Sequence, residues 1–226
     1  MLRDLISLFF PPYCLACREV LAKMEQWLCT ACITELPQTS YHLEADNPVA
    51  QKLYGRVPTT YAMAFYRFRK GNKVQKLVHQ LKYGNKPAIG EALGRSYGSL
   101  LGKRHWASSF DWIVPVPLHV RKLSQRGYNQ SDYFAKGLSA SLTIPWYNQC
   151  LKRGKDTLTQ TKKGKIERLQ NLAHAFYVSD SQVVRGKHVL LVDDVITTGA
   201  TLEACALSLL AAGTREISIA TIGVAE

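Results

Sequence analysis

Asp193 and Asp194 stand side by side, and Thr197, Thr198, Gly199, Ala200 and Thr201 follow after two apolar residues. Adjacent carboxylates can hold the vicinal hydroxyls of a sugar with a divalent cation nearby. A turn rich in hydroxyls that opens a helix offers free backbone amides to a phosphate. One sugar-width apart, the two halves suit a ribose 5-phosphate. The apolar run Val189–Val192 that precedes them reads as a strand buried on both faces of a parallel sheet. The acids are then expected at its carboxyl end, outside the core, because an unpaired buried carboxylate is too costly. That edge is where open α/β sheets bind ligands. The helix-prone run Leu202–Ala212 completes the unit. An Asp-capped turn with no ligand would account for one aspartate, but not for the pair and the three threonines.

A second chemistry is written in the cysteines. Cys14 and Cys17 form one Cys-x-x-Cys pair, Cys29 and Cys32 another, with eleven residues between them. Four thiolates so arranged predict a closed tetrahedral Zn²⁺ site of structural type. Disulfides compete, but they belong to oxidising compartments and nothing in the chain indicates export. A redox pair would need neither the second motif nor this spacing.

The elements that must position these residues fit within 226 residues, enough for one full core with a small appendage. No apolar run approaches the roughly 20 residues that span a bilayer, and the short apolar opening is broken by Asp4, so a cytoplasmic protein is expected. The net charge of +12 is unevenly spread. Lys and Arg outnumber Asp and Glu by 10 to 1 over residues 61–110, whereas residues 190–226 hold 1 against 5. A polyanion can be attracted to that basic middle, and Tyr66, Phe68 and Tyr83 lie within it. A solvated basic surface has the same composition.

Pro37, Pro48, Gly55 and Pro58 punctuate a polar stretch that reads as a linker, which puts a boundary near residue 55: a four-cysteine zinc module with its linker over 1–55 and an α/β domain over 56–226. Tyr61–Phe68 reads as a strand, and Val74, Leu77, Val78 and Leu81 recur at helical spacing. Lys73, Lys76 and Lys82 fall off that stripe and predict a solvated basic face. A second helix is expected over Ala88–Leu101, a strand over Asp111–Pro117, a helix over Asn129–Ser141, and a strand over Ile144–Leu151. Arg121 and Arg126, past the strand that ends at Pro117, are candidates to hold a second phosphate group, since guanidinium forks suit it. Lys152–Ala175, basic and without apolar periodicity, is a long loop of functional or disordered type. A hairpin over Ser179–Gly186 and a last strand over Glu216–Val224 close the chain.

The Asp-Asp-x-x-Thr-Thr-Gly-Ala-Thr run closely resembles the 5-phosphoribosyl 1-pyrophosphate (PRPP) motif of type I phosphoribosyltransferases. Together with both Cys-x-x-Cys pairs, Leu81–Gly84, Val114–His119, Arg126–Gln130, Arg153, Thr157, Gln160, Arg168 and Asn171, it resembles the ComF family, which includes the GntX-like members, nearly end to end. That resemblance implies a phosphoribosyltransferase-like parallel sheet flanked by helices, behind an amino-terminal zinc-ribbon-like module. It implies Asp193 and Asp194 on the ribose, residues 197–201 on the 5-phosphate, Arg121 and Arg126 toward pyrophosphate, Mg²⁺ with PRPP, and Lys152–Ala175 as a hood. A role in DNA uptake during natural transformation is implied as well, with single-stranded DNA and DNA-uptake or helicase proteins as partners. Two readings stay open: a phosphoribosyltransferase whose acceptor the sequence does not name, and a non-catalytic single-stranded-DNA-processing protein that keeps the PRPP pocket for binding or regulation.

Overall fold

The computed structural model describes residues 10–103, 106–154 and 175–226. Thr157, Gln160, Arg168 and Asn171, with most of the stretch expected as a hood, lie outside the described residues. The strands are β1 (Ala62–Phe68), β2 (Trp112–Pro115), β3 (Leu151–Arg153), β4 (Phe176–Val178), β5 (His188–Ile196) and β6 (Glu216–Ala225). The helices are α1 (Thr30–Glu35), α2 (Pro48–Gln51), α3 (Lys73–Tyr83), α4 (Ala88–Gly102), α5 (Val120–Arg126), α6 (Gln130–Leu142), α7 (Ser181–Val184) and α8 (Ala200–Ala211).

Four strands form a wholly parallel sheet in the order β1-β6-β5-β2, while β3 and β4 pair antiparallel beside it. Side chains alternate along β5 between two cores. Leu190 and Val192 join α3, α4 and α6 on one face; Val189 and Leu191 join α8 and the segment 41–57 on the other. Helices on both faces explain why the strand is apolar without interruption. Pro115, which lacks a donor, sits on β2 at the end of the strand order, where a proline is tolerated.

The four periodic residues of α3 are its buried ones, and Asn72 caps it by accepting from the Gln75 amide at 2.9 Å. Each such burial contributes about 2 kcal/mol. The helices α4 and α6 cross at backbone contact: a Cβ on Gly94 would stand 2.3 Å from the Phe134 carbonyl oxygen, and one on Gly137 2.2 Å from that of Glu91.

Several expectations are revised. The segment expected as a linker carries α2 and buries Tyr41, Val49, Leu53 and Val57. It is tied to β1, since Asn47 Nδ2 donates to the Ala62 carbonyl at 2.9 Å. The stretch after Ile144 makes a single bridge, Ile113 to Trp146, in which the Pro145 carbonyl accepts from the Ile113 amide, and a strand begins only at Leu151, where the chain has left the main sheet to pair with β4. Residues 181–184 form a short helix capped by Asp180 rather than a hairpin. The helix α5 was not expected: it buries none of its residues, so it carries no apolar period to read.

Candidate functional site

The strand β5 runs through both acids to Ile196, with Asp193 in register with Thr221 of β6. Asp194 is only 4% exposed, contrary to its expected place outside the core. What permits this is Lys82, at the last turn of α3, whose Nζ lies 2.8 Å from Asp194 Oδ1. The other oxygen, Oδ2, is buried and has no hydrogen-bond partner. Asp193, half-buried, accepts from Ser131 Oγ at 2.7 Å and from the Asp194 amide at 2.8 Å through the same oxygen. Loss of water and then the charge of Asp194 push the Asp193 carboxyl up from 3.8 to about 7, against the pull of Ser131 and Lys82. An orphaned carboxylate oxygen beside a second carboxyl is a hard-oxygen donor set that fits Mg²⁺ or a sugar hydroxyl.

After β5 the chain turns through Thr197 and Thr198, both exposed, to Gly199 at φ +80°. Gly199 is the N-cap of α8 and offers no side-chain cap; the Ala200 amide makes a long bond to Thr198 Oγ1 at 3.5 Å, and the start of the helix faces the turn as a place for an anion. Glycine is needed here for the left-handed backbone, and a Cβ would also press on Leu53 Cδ2 at 3.2 Å. Arg56 braces the turn: Nη1 donates to the Thr198 carbonyl at 2.6 Å, and Nη2 pairs with Glu203 on α8. Ala200 and Thr201 form the half-buried first turn of α8.

Lys82 also lines a cleft of about 590 Å³ between the end of α3 and α5, with Tyr83, Asn85, Lys122, Ser124, Gln125, Arg126 and Gly127. Arg126 is therefore brought to the cleft that Lys82 lines, whereas Asp193 and Asp194 are not among its lining residues. Arg121, exposed on α5, and the 197–201 turn are not among its lining residues. The Arg126–Gln130 run builds this arrangement. Arg126 stacks over the Tyr83 ring at 5.4 Å and donates to Gln130. The Tyr128 hydroxyl donates to the Leu81 carbonyl, fixing the turn that bears Lys82. Asn129 caps α6 and donates to the Val116 carbonyl at 2.9 Å, which sets Ser131 under Asp193. Sequence reasoning missed Lys82 and Ser131 as members of the site. The available signals were a lysine off the apolar stripe at the helix end and a serine just inside a helix that starts at the sheet's edge.

The expected solvated face of α3 is revised with it. Lys73 pairs with Glu35, and Lys76 Nζ donates to the Ala16 carbonyl at 3.2 Å, so the same helix that reaches Asp194 also holds the cysteine module. Cys14, Cys17, Cys29 and Cys32 bring their sulfurs within 4.8 Å of one another, and none is in a disulfide. Burial raises the Cys14 thiol, but the amides of Cys17, Cys29 and Ala16 outweigh it and hold the group at about 6. Burial and the neighbouring thiols push Cys32 up to about 12. Four thiolates this close ionise together only around a cation. Tetrahedral Zn–S bonds of about 2.3 Å would set the sulfurs about 3.8 Å apart, so the cluster can hold Zn²⁺.

A family model for the phosphoribosyl transferase domain matches residues 130–223, from α6 to β6. The DNA utilization protein YhgH of Escherichia coli strain K12 is 31% identical over 226 residues, covering 92% of this chain and 95% of that protein. Competence protein F of Haemophilus influenzae is 43% identical over 108 residues, 47% of each chain. The chain belongs to the ComF family. In this ComF-family chain the family-model match holds the acid pair, the glycine-capped helix and Ser131, whereas the four cysteines and Lys82 lie before it. Among solved structures, the glutamine PRPP amidotransferase from B. subtilis complexed with ADP and GMP is 22% identical with a TM-score of 0.41, over 59% of this chain and 26% of that one. Among the described residues no helix is long and apolar enough to cross a membrane.

Proposed function

We propose that this ComF-family chain binds PRPP, or a related ribose 5-phosphate, at the carboxyl edge of β5, as a phosphoribosyltransferase whose acceptor stays open. The observation that carries the reading is Asp194 Oδ2, buried and unpartnered on a carboxylate whose other oxygen meets Lys82, a lining residue of the cationic cleft. In this reading Asp193 and Asp194 take the ribose hydroxyls, and the 197–201 turn takes the 5-phosphate on the first amides of α8. Arg126 and Lys122 face the pyrophosphate, with Arg121 outside the cleft and at most a peripheral contributor. Mg²⁺ would offset the charge of the pyrophosphate as it leaves. The chain's own part is to position the ribose, stabilise a cationic sugar with its carboxylates, and exclude water. Zn²⁺ in the four cysteines is part of the same proposal, with a structural role, as is the division at residue 55. Equilibrium dialysis of labelled PRPP with Mg²⁺ tests the reading: wild type should retain it, and Asp193→Asn with Asp194→Asn should not. Equal retention by both would remove this site.

Single-stranded DNA is the second reading, favoured by α5. That helix buries nothing, carries Arg121, Lys122 and Arg126, and adjoins Tyr83, which is 70% exposed. The names of the relatives, DNA utilization protein and competence protein F, support the same direction. The basic run 67–73 is a weaker candidate: Arg67 and Arg69 pair with Glu226, Lys73 pairs with Glu35, and Tyr66 is buried. Phosphate contacts would give a log-log salt slope of about −0.7 per phosphate, and stacking on Tyr83 a less salt-sensitive part. Changing Arg121 and Lys122 to Gln should flatten that slope. No binding of an oligonucleotide at low salt would end this reading and leave the small-molecule one.

A further inference from the structure

Lys82 touches two environments that attract opposite partners. Its Nζ lies 2.8 Å from Asp194 Oδ1, while the residue lines the cleft that Lys122 and Arg126 also line. The ammonium is a point charge on a flexible four-carbon stem, so it can exchange one anionic partner for another without moving the helix that carries it. The turn below it is fixed, since the Tyr128 hydroxyl holds the Leu81 carbonyl. A carboxylate 4% exposed cannot stay ionised unless a cation stands beside it. Two cations on the one oxygen would repel each other.

We propose that Lys82 is the built-in counter-ion of Asp194, and that it yields this place to a divalent cation only when a phosphate-bearing ligand in the cleft gives its ammonium a second partner. The proposal rests on the reading of the acid pair given above and adds to it a rule for loading. A bare cation must displace Lys82 into a cleft that is already cationic, so it binds weakly. A polyphosphate entering with the cation supplies the missing anion, so the two bind cooperatively, and each raises the affinity of the other by the same factor. Asp194 then keeps a compensating charge throughout, and its free oxygen, Oδ2, is the atom left to meet the incoming ligand. Lys82 is on this account a positioning residue.

Lys82→Met keeps the length of the stem and a good helix former but removes the charge. Mn²⁺, which reports directly by electron paramagnetic resonance, serves as the cation probe in the absence of any phosphate, with the full chain and its cysteine module intact. Lys82→Met should bind Mn²⁺ alone about tenfold more tightly than wild type, as expected for removing one close competing charge. The same variant should bind PRPP with Mg²⁺ about tenfold more weakly, because the anion loses a charge-assisted contact. Lys82→Arg, which keeps the charge, should stay near wild type in both. Opposite shifts with two probes separate this role from general damage, which would weaken both. Unchanged or weaker Mn²⁺ binding by a Lys82→Met variant that melts cooperatively overturns the proposal. The manganese measurement involves no PRPP, so wild type that takes up no PRPP would defeat the proposed function while leaving the exchange at Asp194 to be judged by manganese alone.

Discussion

Buried polar clusters occupy the two opposite ends of β5 and its neighbour β6. At the amino end, His188 is 5% exposed, with Nε2 2.9 Å from Ser218 Oγ and Nδ1 3.5 Å from Glu216. By residue type this is a serine, a histidine and an acid in a row. Ser218, however, is wholly buried and is also held by the Tyr61 amide, which donates to its Oγ at 3.2 Å. At the carboxyl end, Asp194 is as deeply buried, but one oxygen has no partner, and Lys82 opens onto the cleft. Both clusters carry the desolvation cost of buried polar groups. Only the amino-end cluster is closed on itself, so it serves the fold; the carboxyl-end cluster is left one bond short, which is the condition for meeting a ligand.

The sharpest way to break this comparison is to unbalance the closed end. Ser218→Ala leaves the His188 ring and the Tyr61 amide each short of a partner and should cost about 2 kcal/mol, read as a lower midpoint in urea, with ligand affinity unmoved. A loss of PRPP affinity in a variant of near-normal stability would show the amino end to be functional after all.

At the open end the sign reverses. Asp193 is pushed up to about 7, so its ionised form opposes folding: that cost is absent below 3.8 and grows as pH rises to about 7. Asp193→Asn should therefore raise stability by about 1 kcal/mol above neutrality and do nothing below pH 3.8, at the expense of ligand binding. A destabilised variant at about pH 8 would mean that the carboxylate is a fold determinant.

The legible part of the molecule was what periodicity and residue type encode. Val74, Leu77, Val78 and Leu81 predicted α3, the uninterrupted Val189–Val192 predicted a strand covered on both faces, and four cysteines predicted one cluster. What the sequence hid depends on pairs distant along the chain. Lys82 and Asp194 are separated by more than a hundred residues, so a lysine read as solvated is what admits an aspartate to the core. Ser131 acquires its role only because Asn129 fixes the start of α6 at the sheet's edge. A polar segment punctuated by prolines read as a linker, although Leu53 and Arg56 brace Gly199.

The smallest effect belongs to the titration of the closed end. Burial holds the His188 imidazole below its ordinary 6.5, so the group favours the folded chain fully above that pH and loses this contribution as pH falls below it. Melting temperature should decline on going from about pH 7 to about pH 5 by about a degree or two more in wild type than in His188→Gln. Identical slopes would show that the histidine does not titrate with folding.

The difference between the two ends is tested most directly by isothermal titration of PRPP with Mg²⁺ into Asp194→Asn and Ser218→Ala side by side with wild type. The open end predicts that Asp194→Asn weakens binding by about 100-fold, the equivalent of losing one charge-assisted contact at a buried oxygen, while Ser218→Ala binds as wild type does. Equal affinities for wild type and Asp194→Asn would contradict the assignment of the ligand to this edge of the sheet.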